Sequence, residues 1–82
     1  MSIINSIRSY ILEDEFKITV LKNKVNIVNY SSIGIIDTNK VIVKYDFGSV
    51  SVRGDNLVLS KLMNNEILIS GNIYSIDFRW YY

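Results

Sequence analysis

Short apolar couplets recur every seven to ten residues from Ile18 to the end of the chain. Taken in pairs they make four similar units. Ile18 and Val20 go with Val25 and Ile27, and Ile33 and Ile35 with Val41 and Val43. Val50 and Val52 go with Leu57 and Leu59, and Ile67 and Ile69 with Ile73, before Ile76 and Phe78 close the series. The last two units also align a glycine, Gly54 with Gly71. Alternation of this kind puts every second side chain on one face, the mark of half-buried strands. The joints between couplets are rich in Asn, Asp and Gly, which tolerate left-handed backbone and bond their own turn amides. They are Lys22-Asn23-Lys24, Tyr30-Ser31-Ser32, Thr38-Asn39, Phe47-Gly48, Gly54-Asp55-Asn56, Met63-Asn64-Asn65 and Gly71-Asn72. Gly48, Gly54 and Gly71 therefore read as structural turns, and Asn39 as the residue able to take positive φ in a two-residue hairpin loop. The pattern predicts an all-β domain: a small antiparallel β meander of about eight short strands, rolled or folded on itself, with its sheet core over residues 16–80. A weaker period of about 15–17 residues leaves a short β-solenoid-like stack as the alternative.

Residues 1–14 carry a different rhythm. Ile3, Ile4, Ile7 and Ile11 fall at helical spacing, Tyr10 extends the stripe, and Ser2 is a suitable N-cap. This predicts a short N-terminal amphipathic helix ahead of the sheet. The acidic run Glu13-Asp14-Glu15 sits badly at a helix C-terminus, where the dipole prefers cations, and marks the exit to the first strand. The isoleucine stripe either packs on the sheet or docks on a partner.

Length and composition bound the rest. Eighty-two residues make a single domain with a thin core. Proline is absent, which removes one device that blunts exposed strand edges. The edges are accordingly expected to be covered by the N-terminal segment, by a partner or by another copy. A net charge of +1 lacks the basic footprint of a nucleic-acid binder or a polybasic membrane anchor. Apolar runs are only a few residues long, far short of the ~20 needed to span a bilayer. The first ten residues lack the layout of a secretory signal, so the chain is expected to stay where it is made, without direct membrane insertion.

Candidate chemistry is sparse. With no cysteine and no histidine, thiolate zinc sites, disulfides and the commonest general base are all missing. The carboxylates Asp37, Asp46, Asp55, Glu66 and Asp77 are scattered over separate turns and strands, with no spacing that forces two into one acid–base site. The reading is a non-enzymatic protein with no cofactor and no metal site. The strongest local anomaly is the tail Phe78-Arg79-Trp80-Tyr81-Tyr82, four aromatics in five residues, of the types found at interface hot spots. Ile3, Ile7, Ile11, Trp80, Tyr81 and Tyr82 are the candidate partner interface.

Val52-Arg53-Gly54-Asp55-Asn56-Leu57-Val58 looks like the second signature of Sm-like RNA-binding barrels, an alternative in which Arg53 lines a nucleotide pocket. The first Sm signature is not matched, since Gly34, Asp37 and Asn39 have the wrong spacing, and the chain runs two strands beyond the motif. Arg53-Gly54-Asp55 also spells an integrin-recognition tripeptide, a chance occurrence in a domain that is not secreted.

A wider resemblance covers about three quarters of the chain. It is carried by Phe16 to Val20, Val28-Asn29-Tyr30, Ile33-Gly34-Ile35, the central run from Gly48 to Leu59, and Glu66 to Ile73 with Ile76-Asp77-Phe78. In order and spacing these stretches resemble the YabP/YqfC family of sporulation proteins, the YqfC branch more closely. Tyr30-Ser31-Ser32 and the aromatic tail depart from the family's usual pattern. The resemblance implies a protein of the mother cell of a sporulating Firmicute, acting as an adaptor or assembly module in endospore formation. It implies a YqfD-like or YabQ-like membrane protein as partner, and a cytoplasmic location, peripheral at the forespore-surrounding membrane through that partner. It supplies no catalytic residue. A homo-oligomeric or self-assembling scaffold is the further alternative.

Overall fold

The computed structural model describes residues 8–11 and 16–81, with side chains from residue 16 onward. Seven strands follow one another: β1 (Arg8–Ile11), β2 (Lys17–Leu21), β3 (Lys24–Val28), β4 (Ser32–Ile36), β5 (Lys40–Tyr45), β6 (Gly48–Met63) and β7 (Glu66–Trp80). All pairings are antiparallel, and the order across the sheet is β1-β2-β3-β7-β6-β5-β4. The all-β antiparallel architecture expected from the alternation is what forms. Consecutive strands pair as antiparallel hairpins except β3 and β4, where the chain crosses to the far edge, so the β-solenoid-like stack does not form.

Two features differ from the sequence reading. Arg8–Ile11 is a strand, registered from Arg8 opposite Val20 to Ile11 opposite Lys17, and not part of a helix. Its backbone satisfies the outer edge of β2, a demand that helical spacing of side chains does not register. The rest of the expected helix, with Ile3 and Ile7, lies outside the described residues, as does Tyr82. Second, Gly54-Asp55-Asn56 and Gly71-Asn72 do not end strands. β6 and β7 run through them as one hairpin of 16 and 15 residues closed by Asn64 and Asn65. Four of the expected short strands thereby fuse into two.

This hairpin bends. Sixteen residues at ~3.3 Å each would reach about 50 Å if straight, while the longest dimension of the molecule is 34 Å. Two bulges supply the bend, one on each strand. Arg53 faces Ser75 while Gly54 faces Ile73, an extra residue in β7; Asp55 faces Asn72 while Val58 faces Ser70, an extra residue in β6. Each bulge shifts the side-chain alternation by one and increases local twist. Hence Val50 and Val52 before the bend, and Leu57 and Leu59 after it, all turn toward the same core.

The bend divides the sheet into two lobes. β3 pairs only with residues 66–70 of β7, and β5 only with residues 48–53 of β6. One lobe contributes Phe16, Ile18, Val25, Ile27, Ile67 and Ile69 to the core; the other contributes Val41, Val43, Tyr45, Val50 and Val52. These residues form a single cluster, so the lobes face each other. The hairpin tips lock the bend from either side. Gly54 N–H donates to Asn39 O (3.1 Å) and Leu57 N–H to Thr38 O (2.7 Å), while Gly71 N–H donates to Asn23 O (3.2 Å). Donors released by the bulges are thus satisfied by the turn of the opposite hairpin, as buried amides require. Among the described residues the non-glycine positions with positive φ are Asn29 and Asn56, so Asn39 reaches its turn without it.

Candidate interaction surface

The aromatic tail is built into one end of the core. Phe16, immediately before β2, stacks on Tyr45 at the end of β5, with ring centroids 4.1 Å apart and 20° between planes. Trp80, the last residue of β7, meets Tyr45 edge-on at 5.9 Å and 84°. Both geometries suit the aromatic quadrupole. Phe16 and Tyr45 are buried, whereas Trp80 keeps 42% of its surface exposed. Beyond it, Tyr81 N–H donates to Phe47 O (2.8 Å), which ties the tail to the β5–β6 turn. Phe47 and Tyr81 are 57% and 50% exposed. Phe16, Tyr45 and Trp80 thus form an aromatic column from core to surface, and the exposed Phe47 and Tyr81, joined through backbone, lie at its outer end.

Gly48 makes this end close. It faces Trp80 across the β6–β7 ladder, and a Cβ there would lie 2.1 Å from Arg79 O and 2.9 Å from the Tyr45 hydroxyl. Of the sequence-selected interface residues, Trp80 and Tyr81 are brought together here, while Ile11 lies on the edge strand β1, opposite Lys17. Phe47 was not among them. Its signal was weak, a single aromatic in a turn, and only the fold shows that the turn abuts the tail.

The remaining candidates scatter as their spacing implied. Asp37 accepts from Thr38 N–H (2.7 Å), Asp46 from Ser31 Oγ (2.9 Å), Glu66 from Asn26 Nδ2 (2.9 Å) and Asp77 from Ser75 Oγ (3.0 Å). Four carboxylates are therefore engaged in separate hydrogen bonds, Asp37 and Asp46 in two different turns and Glu66 and Asp77 near opposite ends of β7. Among the described residues no group of three or more His, Cys, Asp or Glu is placed to hold a metal ion. Arg53 is exposed on β6, and Arg53 to Asn56 lie in the bend, not in a loop closing on a nucleotide. A shallow polar groove lined by Asn23, Lys24, Ser70, Gly71 and Asn72 flanks the bend on the other side. No helix of the described residues is long and apolar enough to cross a membrane.

Strand edges form a second class of exposed feature. β4 closes one side of the sheet, with Ile35 and Ile36 exposed. Past the bend, β6 is laddered to β7 on one side, with Val58, Leu62 and Met63 exposed. Likewise the far half of β7 is laddered to β6 on one side, with Tyr74 exposed.

Against known families, residues 13–80 match the model of the YabP family. The chain belongs to the YabP family. The match takes in every strand from β2 to β7, including both bulges and the aromatic end up to Trp80. No curated protein and no solved structure matches the chain.

Proposed function

We propose that this YabP family protein is a non-enzymatic assembly module of endospore formation, of the YqfC branch, working in the mother cell by docking on a membrane partner of the YqfD-like or YabQ-like kind. The observation that carries this reading is the exposed aromatic surface of Trp80, Phe47 and Tyr81 at one end of a domain of this family. Trp80, whose ring meets buried Tyr45, is pre-positioned and so loses little side-chain entropy on binding, and all three aromatics bring apolar area to the contact. The domain would sit at the forespore-surrounding membrane through that contact and not through insertion.

The test is capture from detergent-solubilised membranes of sporulating cells, with the tagged full chain as bait and the YqfD-like or YabQ-like membrane protein followed by immunoblot. Wild type is expected to retain it. Phe47→Ala, Tyr81→Ala and especially Trp80→Ala are expected to reduce retention tenfold or more while each variant keeps its β-sheet circular dichroism. Undiminished retention by all three, or normal heat-resistant spore counts in a strain lacking the gene, overturns the reading.

A further inference from the structure

The net charge of +1 conceals a separation of charge between faces. In the lobe that holds β5, the first part of β6 and the far half of β7, alternate residues point into the core: Val41 and Val43, Val50 and Val52, Ile76 and Phe78. The residues between them stand on the opposite face, in rows fixed by the ladder. Lys44, Ser49 and Arg79 make one row, and Ile42, Ser51 and Asp77 the next. Lys40, Arg53 and Ser75 make the third. Four cations therefore share this face with one acid. Lys44, Arg53 and Arg79 are exposed and Lys40 is half-buried. No ion pair joins any of the four to a described acid.

Lys40 and Arg53 are the sharpest feature. They stand directly opposite each other, a position in which Cβ atoms lie ~5 Å apart and like charges destabilise a sheet. On its other side Arg53 faces Ser75, so no acid offsets the pair across the ladder. Asp77 lies on the face and accepts from Ser75 Oγ. Asp37, Asp46 and Asp55 lie in the turns and the bend at the two ends of the face and bound the cationic area without crossing it. A pairing rule broken at an exposed position points to a use for the charges.

We infer that this face rests on the anionic headgroups of a lipid leaflet. The rows hold no aromatic side chain on which a base could stack, which disfavours a nucleic-acid strand. They spread charge over an area three strands wide, which suits a charged plane. The choice of occupant rests on the reading of the chain as docked at a membrane. A domain held on a membrane protein comes within reach of the negative surface potential of the leaflet, which decays over a Debye length of ~8 Å. The row of Lys44, Ser49 and Arg79 adjoins the aromatic end, because Gly48 precedes Ser49 and Trp80 follows Arg79. The contact is adsorption without insertion, made of several weak electrostatic terms, each worth about fivefold in partitioning.

The test is co-sedimentation of the purified full chain with vesicles of equal parts phosphatidylcholine and phosphatidylglycerol, beside vesicles of phosphatidylcholine alone. Wild type is expected to sediment with the first and not the second, and to be released by salt. Lys40→Gln, Lys44→Gln, Arg53→Gln and Arg79→Gln are each expected to lower the partition coefficient about fivefold, and Asp77→Asn to raise it by a similar factor. Lys61→Gln removes an exposed cation from β6 past the bend and is expected to leave the coefficient nearly unchanged. Arg53→Gln has a second signature. It dissolves the like-charge pair, so it should melt at or above the wild-type temperature by circular dichroism while its lipid binding falls. A wild type that ignores anionic vesicles, or that binds both kinds alike, overturns the proposal. So does Lys61→Gln weakening binding as much as Arg53→Gln, or an Arg53→Gln that loses binding only because it has unfolded. Substitutions on this face that abolish capture of the membrane protein or of single-stranded RNA, with vesicle binding unchanged, also overturn it. A chain that ignores lipid yet captures the membrane protein through Trp80 sinks this inference and leaves the docking reading intact. A chain that binds anionic vesicles through these cations and captures no membrane protein does the opposite.

Discussion

Replacing Gly54 by alanine should cost this domain a large fraction of its stability, although one methyl group is all that is added. A Cβ at Gly54 would lie 2.2 Å from Asn72 O, 2.9 Å from Asn72 C and 2.9 Å from Leu57 Cδ2. Heavy atoms rest at roughly 3.5 Å, so the overlap with the carbonyl exceeds an ångström and is with the backbone of β7, which cannot swing aside as a side chain can. Relief requires β6 and β7 to part at the bend. That movement disturbs the ladder and the bond from Gly54 N–H to Asn39 O. Overpacking typically costs about 1–3 kcal/mol and each lost hydrogen bond about 1 kcal/mol. About 3 kcal/mol is expected, against a total near 4–12 kcal/mol for a domain of this size. The melting temperature should fall by about 12–24 °C, at about 4–8 °C per kcal/mol.

Gly34→Ala is the control. There the nearest atom is Lys44 Cε at 3.3 Å, the far end of a flexible side chain, and the position is exposed. Alanine also removes unfolded-state entropy, worth about 0.4–1 kcal/mol of stabilisation where the backbone permits it. Gly34→Ala should therefore melt within about 1 kcal/mol of wild type, on either side. Both variants and wild type would be melted by far-ultraviolet circular dichroism at equal concentration. If Gly54 were the open turn its sequence setting resembles, both alanines would be tolerated. A Gly54→Ala melt within a few degrees of wild type refutes the close-approach account of the bend.

Three further substitutions probe other levels of the structure. Ile67→Ala empties a fully buried site at the centre of the cluster and should lower stability by about 2–5 kcal/mol, read as a shifted guanidinium midpoint. Phe16→Ala removes the ring stacked on Tyr45 and should cost about 3–5 kcal/mol; the emission of Trp80 should move with it, because Trp80 leans on the same tyrosine. Asn26→Ala deletes the bonds from Nδ2 to Glu66 Oε2 and to Ile67 O (3.2 Å); about 1–2 kcal/mol is expected, measured by urea unfolding, with no change in oligomeric state.

The strands, their alternation and nearly all of the core could be read from the chain. Ile18, Val25, Ile27, Val41, Val43, Val50, Val52, Ile67 and Ile69 were flagged by period two and are the residues that lie fully buried or nearly so. The bend was harder, because glycine beside Asp and Asn signals a turn wherever it occurs. A subtler sign was present. Inward positions are even before Gly54 (Val50, Val52) and odd after Asn56 (Leu57, Leu59). They are odd through Ile73 (Ile67, Ile69, Ile73) and even beyond Tyr74 (Ile76, Phe78). A matched change of parity in two neighbouring strands is what paired bulges produce. The strand at Arg8–Ile11 was not legible for a different reason. Its place is set by the backbone edge of β2, and the isoleucine spacing around it fits a helix equally well. Phe47 joined the aromatic surface through a contact 34 residues distant in sequence, from Tyr81 N–H to Phe47 O.

The same bend that seals the core also creates the surfaces on which the domain acts. Neither lobe can bury its apolar face alone, and each supplies roughly half of one cluster, so the two are stable only when folded together. Folding them together needs β6 and β7 to change neighbours midway: β5 before the bend for one, β3 before the bend for the other. Past the bend each strand therefore runs on with a ladder on one side. Among the described residues these margins carry the exposed side chains of Val58, Leu62 and Met63 on β6 and of Tyr74 and Trp80 on β7. The far stretch of β7 ends in Trp80, whose ring meets buried Tyr45 edge-on at 5.9 Å. The strand that runs on past the bend is thus the one that brings the half-exposed indole to the surface proposed for docking.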